Sequence, residues 1–244
     1  VTTLMTHNSY NNGQNGFLVP NQDFNIARQL NDGVRGFMLD VYSSTNGPLL
    51  YHGAAQLGKE SLFLVMKDIR TFLMANPNEV ISIIFENYCT HEEILQVMDT
   101  LEIRDMVYVH NGTWPTLKEM ISANKNLVLM VEKQNGVLPE GLLYAWNHTF
   151  DSQYEFKNTE EMDCSIKRGG GGLKSFYLMN HWISNSLGLP DKTKAKNANS
   201  WAVLGERVNR CSQEQQRKIN FLGVDFYNIG DAIAIVDSIN GVKR

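Results

Sequence analysis

The stretch Gly33-Val34-Arg35-Gly36-Phe37-Met38-Leu39-Asp40-Val41-Tyr42 constrains this chain more than any other. It is a near-continuous apolar run with one carboxylate, Asp40, close to its C-terminal end. A strand that is apolar on both faces belongs in the buried parallel sheet of an α/β protein. A lone acid at the end of such a strand is either solvated in a loop or placed for chemistry at the mouth of the sheet.

The rest of the chain repeats the pattern. Residues 2–6 read as a first strand running into His7-Asn8-Ser9-Tyr10, followed by a polar loop over 11–22. Asp23 is a good N-cap for a short helix carrying Phe24, Ile26, Ala27 and Leu30, which Gly33 closes. After an Asn46-Gly47-Pro48 turn, Leu49-Leu50-Tyr51 is a short third strand ending at His52-Gly53. Helical periodicity over 61–74 stops at Asn76-Pro77-Asn78, and the clearest buried strand, 79–85, ends at Glu86-Asn87. Further helices are expected over 92–101, 116–124, 138–146, 201–210 and 231–239, and strands over 107–109, 127–131, 175–179 and 221–224. Residues 151–172, ending in four glycines, and 185–199 read as polar loops. Strand and helix alternate with no linker and no internal repeat. That predicts a single domain over 1–244, an α/β fold with a parallel (β/α) barrel of the TIM type. A doubly wound open sheet is the alternative. It requires a Gly-rich first turn, which His7-Asn8-Ser9-Tyr10 is not.

An apolar fraction of 43% and a charged fraction of 20% over 244 residues describe an ordinary soluble globular chain, long enough for one large core. The net charge of −4 and the lack of a Lys/Arg-rich run argue against a nucleic-acid partner. No apolar stretch approaches the roughly 20 residues that span a bilayer. Residues 1–6 already read as a strand, so any signal peptide is expected to have been removed or never present. The three cysteines leave two readings open. All three can be buried free thiols, or Cys164 and Cys211, both in polar irregular segments, can pair in an oxidising compartment while Cys89 stays free. Two sequons, Asn111-Gly112-Thr113 and Asn147-His148-Thr149, add weak support for secretion.

The polar residues at the strand ends are His7 and Asn8, Asp40, His52, Glu86, Glu132 and Lys133, Asn180 and His181, and Asp225. In a parallel barrel these ends converge on one face, where active sites form. A single such residue is more often a structural hydrogen-bonder. Five or more ionisable groups on successive strand ends are hard to explain as packing. Two histidines, an acid to orient one of them, and two acids plus an amide able to bind a cation suit phosphodiester cleavage. One imidazole takes the proton of the attacking hydroxyl while the other protonates the leaving oxygen. A cation or a positive side chain offsets the charge growing on the phosphate. The oxygen-rich set Asn8, Asp40 and Glu86 favours Ca²⁺ or Mg²⁺ over zinc.

The runs Thr6-His7-Asn8-Ser9-Tyr10, Val34-Arg35-Gly36-Phe37-Met38-Leu39-Asp40, Tyr51-His52-Gly53, Asn76-Pro77-Asn78-Glu79-Val80-Ile81, Phe85-Glu86-Asn87 and Val224-Asp225-Phe226-Tyr227 together resemble the X region of phosphatidylinositol-specific phospholipases C. The likeness is to the single-domain, often secreted, plant, fungal and bacterial type, and it covers essentially the whole chain. It implies a barrel that cleaves the glycerol-side phosphodiester of inositol phospholipids through a cyclic inositol phosphate. By that resemblance His7, oriented by Asp225, and His52 are the catalytic histidines. Asn8, Asp40 and Glu86 match three calcium ligands, and Glu132, Lys133, Asn180 and Tyr227 are expected at or near the phosphate and inositol contacts. The expected partners are a phospholipid and a membrane surface, met by a secreted monomer whose loop residues Phe17, Leu18 and Val19 either touch lipid or pack back on the barrel.

Two departures accompany the likeness. Metal-dependent relatives carry a second acid two residues before the Asp40 position, where this chain has Met38. Metal-independent relatives carry an arginine two residues after it and an aspartate after the first histidine, where this chain has Tyr42 and Asn8. A related barrel acting on another phosphodiester, such as a glycerophosphodiester, and a binding protein that has lost turnover are the alternative expectations.

Overall fold

Parallel pairing carries through eight strands of one curled sheet, in the spatial order Leu142–Tyr144, Leu127–Val131, Ile81–Tyr88, Gly36–Tyr42, Thr3–Thr6, Phe221–Val224, Phe176–His181 and Thr149–Ser152. The computed structural model describes residues 1–170 and 173–242. Gly171 and Gly172, the last of the four consecutive glycines, lie outside the described residues. The first half comprises β1 (Thr3–Thr6), α1 (Ile26–Asn31), β2 (Gly36–Tyr42), β3 (Leu49–Leu50), β4 (Glu60–Ser61), α2 (Leu62–Ala75), β5 (Ile81–Tyr88), α3 (His91–Thr100), α4 (Leu117–Ser122) and β6 (Leu127–Val131). The second comprises β7 (Leu142–Tyr144), α5 (Ala145–His148), β8 (Thr149–Ser152), β9 (Ile166–Arg168), β10 (Phe176–His181), α6 (Lys192–Ala198), α7 (Glu206–Glu214), β11 (Phe221–Val224) and α8 (Ala232–Asn240). The expected parallel barrel is therefore present, with β9 antiparallel on β8 and with β3 and β4 antiparallel beyond the end of β2. Among the described residues no ladder joins β7 to β8, so hydrogen bonding leaves one seam open.

Alternation along each strand divides the apolar residues into two cores. Ile83 and Phe85 of β5 face the outer helices with Phe37, Leu39 and Leu129. Ile84 faces the barrel axis with Met5, Met130 and Leu178. Long unbranched methionines suit this tapered interior because they adapt to irregular gaps. Gly36 makes room for one of them: a Cβ there would lie 2.8 Å from the Met5 side chain.

Several expectations are corrected by tertiary pairing. Residues 138–146 do not form one helix. Leu142, Leu143 and Tyr144 pair with Leu129, Met130 and Val131, and only Ala145–His148 turns helical. The polar stretch from Asp151 is not loop from its start: β8 is buried throughout, its polar side chains being satisfied inside the protein. Asn25, not Asp23, caps α1, accepting from the Arg28 amide, while Asp23 pairs with Lys192. The polar segment 185–199 contains α6, and 107–109 contributes only a single bridge, Val107 to Leu127.

The segment between β8 and β10 is pinned from behind. Cys164 and Cys211 form a disulfide with Cα atoms 5.1 Å apart, and Cys89 is a buried free thiol. Arg207, 1% exposed, donates to the Asp163 carbonyl at 3.1 and 2.7 Å, to the Asn180 carbonyl at 2.6 Å and to His181 Nδ1 at 3.0 Å. Burial first, then Arg207, pushes the His181 imidazole down to about 3, which keeps it neutral and structural.

The crosslink spans 47 residues. Replacing Cys164 and Cys211 together by alanine is expected to lower the unfolding free energy by about 3–4 kcal/mol, the loop-closure scale for such a span. Urea denaturation checks this, and an unchanged midpoint would contradict it.

Candidate functional site

Two strand registers assemble a cleft of about 300 Å³ at the C-terminal mouth of the barrel. The first is β1 on β11, where Thr6 pairs with Val224 and sets His7 beside Asp225. His7 Nδ1 lies 2.9 Å from Asp225 Oδ1, so Nδ1 is the donor of that bond and Nε2 is the nitrogen left for other partners. The indole of Trp182 stacks on the His7 ring at 3.9 Å and 6°. Each of these two strands turns out of the sheet through a left-handed residue, Asn8 (φ 44°) and Phe226 (φ 47°). Asparagine tolerates that region; a phenylalanine there is strained and must be held by its surroundings. Phe226 donates its amide to the Asn21 carbonyl at 2.8 Å, and Asn199 donates to the Asp225 carbonyl at 3.0 Å.

The second register is β2 on β5. Met38, Asp40 and Tyr42 pair with Ile84, Glu86 and Tyr88, giving an apolar rung, an acidic rung and an aromatic rung towards the mouth. Asp40 is 7% exposed. Burial, and then the charge of Glu86, push its carboxyl up to about 7, while His7, Tyr10 and Lys133 oppose the rise without cancelling it. Glu86 accepts from the Tyr88 hydroxyl, and Lys133 Nζ sits 4.0 Å from its Oε1 and 3.2 Å above the Tyr88 ring. Tyr42 is stacked between Tyr51 and Tyr88, at 3.9 and 4.4 Å.

His52 stands on the rim of the same cleft, beyond β3. It is exposed as a residue, yet its ring is crowded enough that desolvation, helped by His7, lowers its pKa. Glu132, at the end of β6, meets Arg168 of β9 at 2.7 Å, and Arg168 also binds Asp151 of β8 at 2.6 Å. One guanidinium thus bridges the seam that no ladder closes, lying over Trp146 at 4.2 Å and Tyr154 at 5.0 Å.

Of the residues predicted from sequence, His7, Asn8, Asp40, His52, Glu86, Glu132 and Asp225 line the cleft together. Three do not. Lys133 lies outside, over Tyr88. Asn180 is buried beneath the floor, donating to Asp151 Oδ2 at 2.9 Å and to the Ser152 carbonyl at 2.8 Å. Tyr227 faces the outer layer, its hydroxyl donating to Asp32 at 2.7 Å. Asn21, Arg168 and Trp182, which the sequence does not mark as site residues, also line the cleft. The first two come from segments that read only as polar loops.

Asn8, Asp40 and Glu86, the residues expected to hold a cation, all line the cleft, and their donor chemistry is of the oxygen type a hard ion takes. The side-chain nitrogen of Asn8, 1% exposed, has no hydrogen-bond partner, and turning the amide over would present its oxygen instead. The raised Asp40 carboxyl marks negative charge that the protein itself leaves uncompensated. The set is small: Met38 adds no oxygen, and among the described residues no group of three or more His, Cys, Asp or Glu converges for a metal.

The chain matches the family model described as PI-PLC X 1 over residues 1–240. It is 28% identical over 268 residues to a PI-PLC X domain-containing protein of Arabidopsis thaliana, covering 98% of this chain and 62% of that protein. It is 27% identical over 245 residues to PI-PLC X domain-containing protein 1 of Arthroderma benhamiae, covering 91% and 79%. A further protein of that fungus, described as secreted, is 24% identical, and this chain spans 58% of it. Among solved structures, the phosphatidylinositol-specific phospholipase C from Listeria monocytogenes superposes with a TM-score of 0.69 at 18% identity, over 100% of this chain and 93% of that one. A Staphylococcus aureus phosphatidylinositol-specific phospholipase C gives 0.63 at 18%, over 99% and 92%. At that identity the likeness is one of fold.

A carboxyl whose folded pKa lies above its ordinary 3.8 holds its proton more tightly in the native state. Its contribution therefore favours the fold at acid pH and is lost as pH rises through about 7. Asp40→Asn, in metal-free buffer, is expected to raise Tm by about 5 °C or more at pH 8 and by less at pH 5. Calorimetry at both pH values checks this, and a lower Tm for the variant at pH 8 would contradict it.

Proposed function

The chain belongs to the PI-PLC X family, and from that membership we propose that it cleaves the glycerol-side phosphodiester of phosphatidylinositol-type lipids. The observation that carries the reading is the His7–Asp225 pair opening into the same cleft as His52. Phosphodiester cleavage without a covalent enzyme intermediate needs one group to remove a proton and another to supply one. Nε2 of His7 takes the proton of the inositol 2-hydroxyl, and Asp225 orients the ring and stabilises the imidazolium that forms. The 2-oxygen bonds to phosphorus as the bond to the glycerol oxygen breaks, and His52 protonates that leaving oxygen. A cyclic inositol phosphate and diacylglycerol result.

Asn8, Asp40 and Glu86 would hold a Ca²⁺ or Mg²⁺ ion, which offsets charge developing on the phosphate. Glu132, Arg168 and Trp182 line the same cleft, where a polyhydroxylated head group finds both acceptors and donors.

Access to a lipid surface is supported by the rim. Phe17 is buried against Tyr10, but Leu18 is 71% exposed and hydrogen-bonds through its amide to Leu57, itself 40% exposed. Leu187, 79% exposed, projects from the segment that brings Ser184, Gly188 and Pro190 to the cleft. Apolar side chains on one rim of a polar cleft fit an enzyme that works at an interface. The Cys164–Cys211 disulfide and the relative described as secreted are consistent with an extracellular setting.

The test is ³¹P NMR of phosphatidylinositol vesicles incubated with the protein. A cyclic inositol phosphate is expected from wild type, with the rate reduced about 10²–10⁴-fold in His7→Ala and in His52→Ala. Release of glycerophosphate species without the cyclic product points to the related phosphodiesterase instead. No turnover in wild type points to a binding protein.

A further inference from the structure

Asn21 lies in the polar loop that joins β1 to α1, and it is 2% exposed. Its Nδ2 donates to both oxygens of Asp225, at 3.1 and 3.2 Å, and sits 3.4 Å from Nδ1 of His7. Its Oδ1 accepts from Asn11 Nδ2 at 2.7 Å, and the same Asn11 nitrogen donates to the Val19 carbonyl at 3.0 Å. This chain of bonds fixes the orientation of the amide. Turned over, Asn21 would set its oxygen against a carboxylate and its nitrogen against another amide nitrogen. Its backbone is clamped as well, donating to the Asn11 carbonyl at 2.9 Å and accepting from Phe226 at 2.8 Å.

Asp225 is 4% exposed, and no Lys or Arg is paired with it among the described residues. A buried carboxylate without a cation depends on hydrogen-bond donors both for its ionised form and for its orientation. Of the three side-chain hydrogen bonds that Asp225 accepts among the described residues, Asn21 gives two and His7 one. The carboxylate could rotate about its Cβ–Cγ bond and lose His7. The two-pronged contact from Asn21 prevents that.

We propose that Asn21 is a positioning residue of the His7–Asp225 pair. It holds the carboxylate so that Oδ1 meets Nδ1 of His7, and the imidazole keeps the tautomer and direction that leave Nε2 facing the cleft. The kinetic consequence rests on the phosphodiesterase reading; the hydrogen-bond consequence does not. The experiment therefore has two arms, on Asn21→Leu and on Asn21→Ser, which keeps a short donor.

In the substrate-free arm, the downfield ¹H resonance of His7 Nδ1–H, assigned by its loss in His7→Ala, is expected to broaden into solvent exchange in Asn21→Leu and to persist, weakened, in Asn21→Ser. In the kinetic arm, kcat on phosphatidylinositol is expected to fall roughly tenfold to a hundredfold in Asn21→Leu with KM within about twofold, as for a misplaced catalytic group. Partial rescue is expected in Asn21→Ser. An unchanged resonance in folded Asn21→Leu overturns the proposal, even where Tm has fallen. If Asn21→Leu does not fold, a resonance in Asn21→Ser as sharp as in wild type overturns it. A lost resonance in a protein that turns over no phosphatidylinositol upholds the positioning role and refutes the activity.

Discussion

Asp40 stands opposite Glu86 on adjacent parallel strands, and the arrangement of the cleft follows from how the protein tolerates that rung. Two carboxylates side by side at the edge of a low-dielectric interior cannot both stay ionised cheaply. Glu86 has help, from the Tyr88 hydroxyl and from Lys133, which the Tyr88 ring holds in place. Asp40 has little, and its raised carboxyl pKa records the deficit. The aromatic stack Tyr51–Tyr42–Tyr88 packs on the mouth side of the rung and the Met38–Ile84 pair closes it from below. The cation of the proposed function, held by Asn8, Asp40 and Glu86, would offset that deficit.

Strand order turns separate residues into one arc. β11, β1, β2, β5 and β6 are neighbours, so their ends set out Asp225, His7 with Asn8, Asp40, Glu86 and Glu132 in sequence around the mouth. On the far side the sheet lacks a ladder between β7 and β8, and the Arg168 guanidinium spans the gap through Glu132 and Asp151. Arg168 thereby ties the Glu132 end of the arc to β8 and brings a positive group to the cleft lining. The disulfide two residues before β9 and the Arg207 bonds to Asp163 fix the segment that delivers it.

The parts of this that were legible in the sequence share a physical signature. Strands buried on both faces read as apolar runs, and the polar residue that ends each run marks the barrel mouth, which is how Asp40, Glu86 and Asp225 could be recognised. Asn21 and Arg168 could not. Each sits in a polar segment whose hydrogen bonds are made to residues far away in sequence, and local composition carries no trace of such partners. β8 is hidden in the sequence for the same reason: Asp151 and Ser152 are polar, yet Arg168 and Asn180 satisfy them inside the protein. Asn180 and Tyr227 are the converse. They follow strands in the expected way, but one supports Asp151 and the other bonds Asp32 behind the sheet. Position at a strand end gives the height of a residue in the barrel and not the direction of its side chain.

The most direct measurement is the rate of phosphatidylinositol cleavage against free Ca²⁺ concentration, in wild type and in Asp40→Asn. If, as proposed, a cation held by Asn8, Asp40 and Glu86 offsets the charge of this rung, the wild-type rate rises from near zero in chelator to a plateau. In Asp40→Asn the curve should shift to much higher Ca²⁺ or be lost. Full wild-type activity in chelator, with Asp40→Asn indistinguishable from it, would contradict the account.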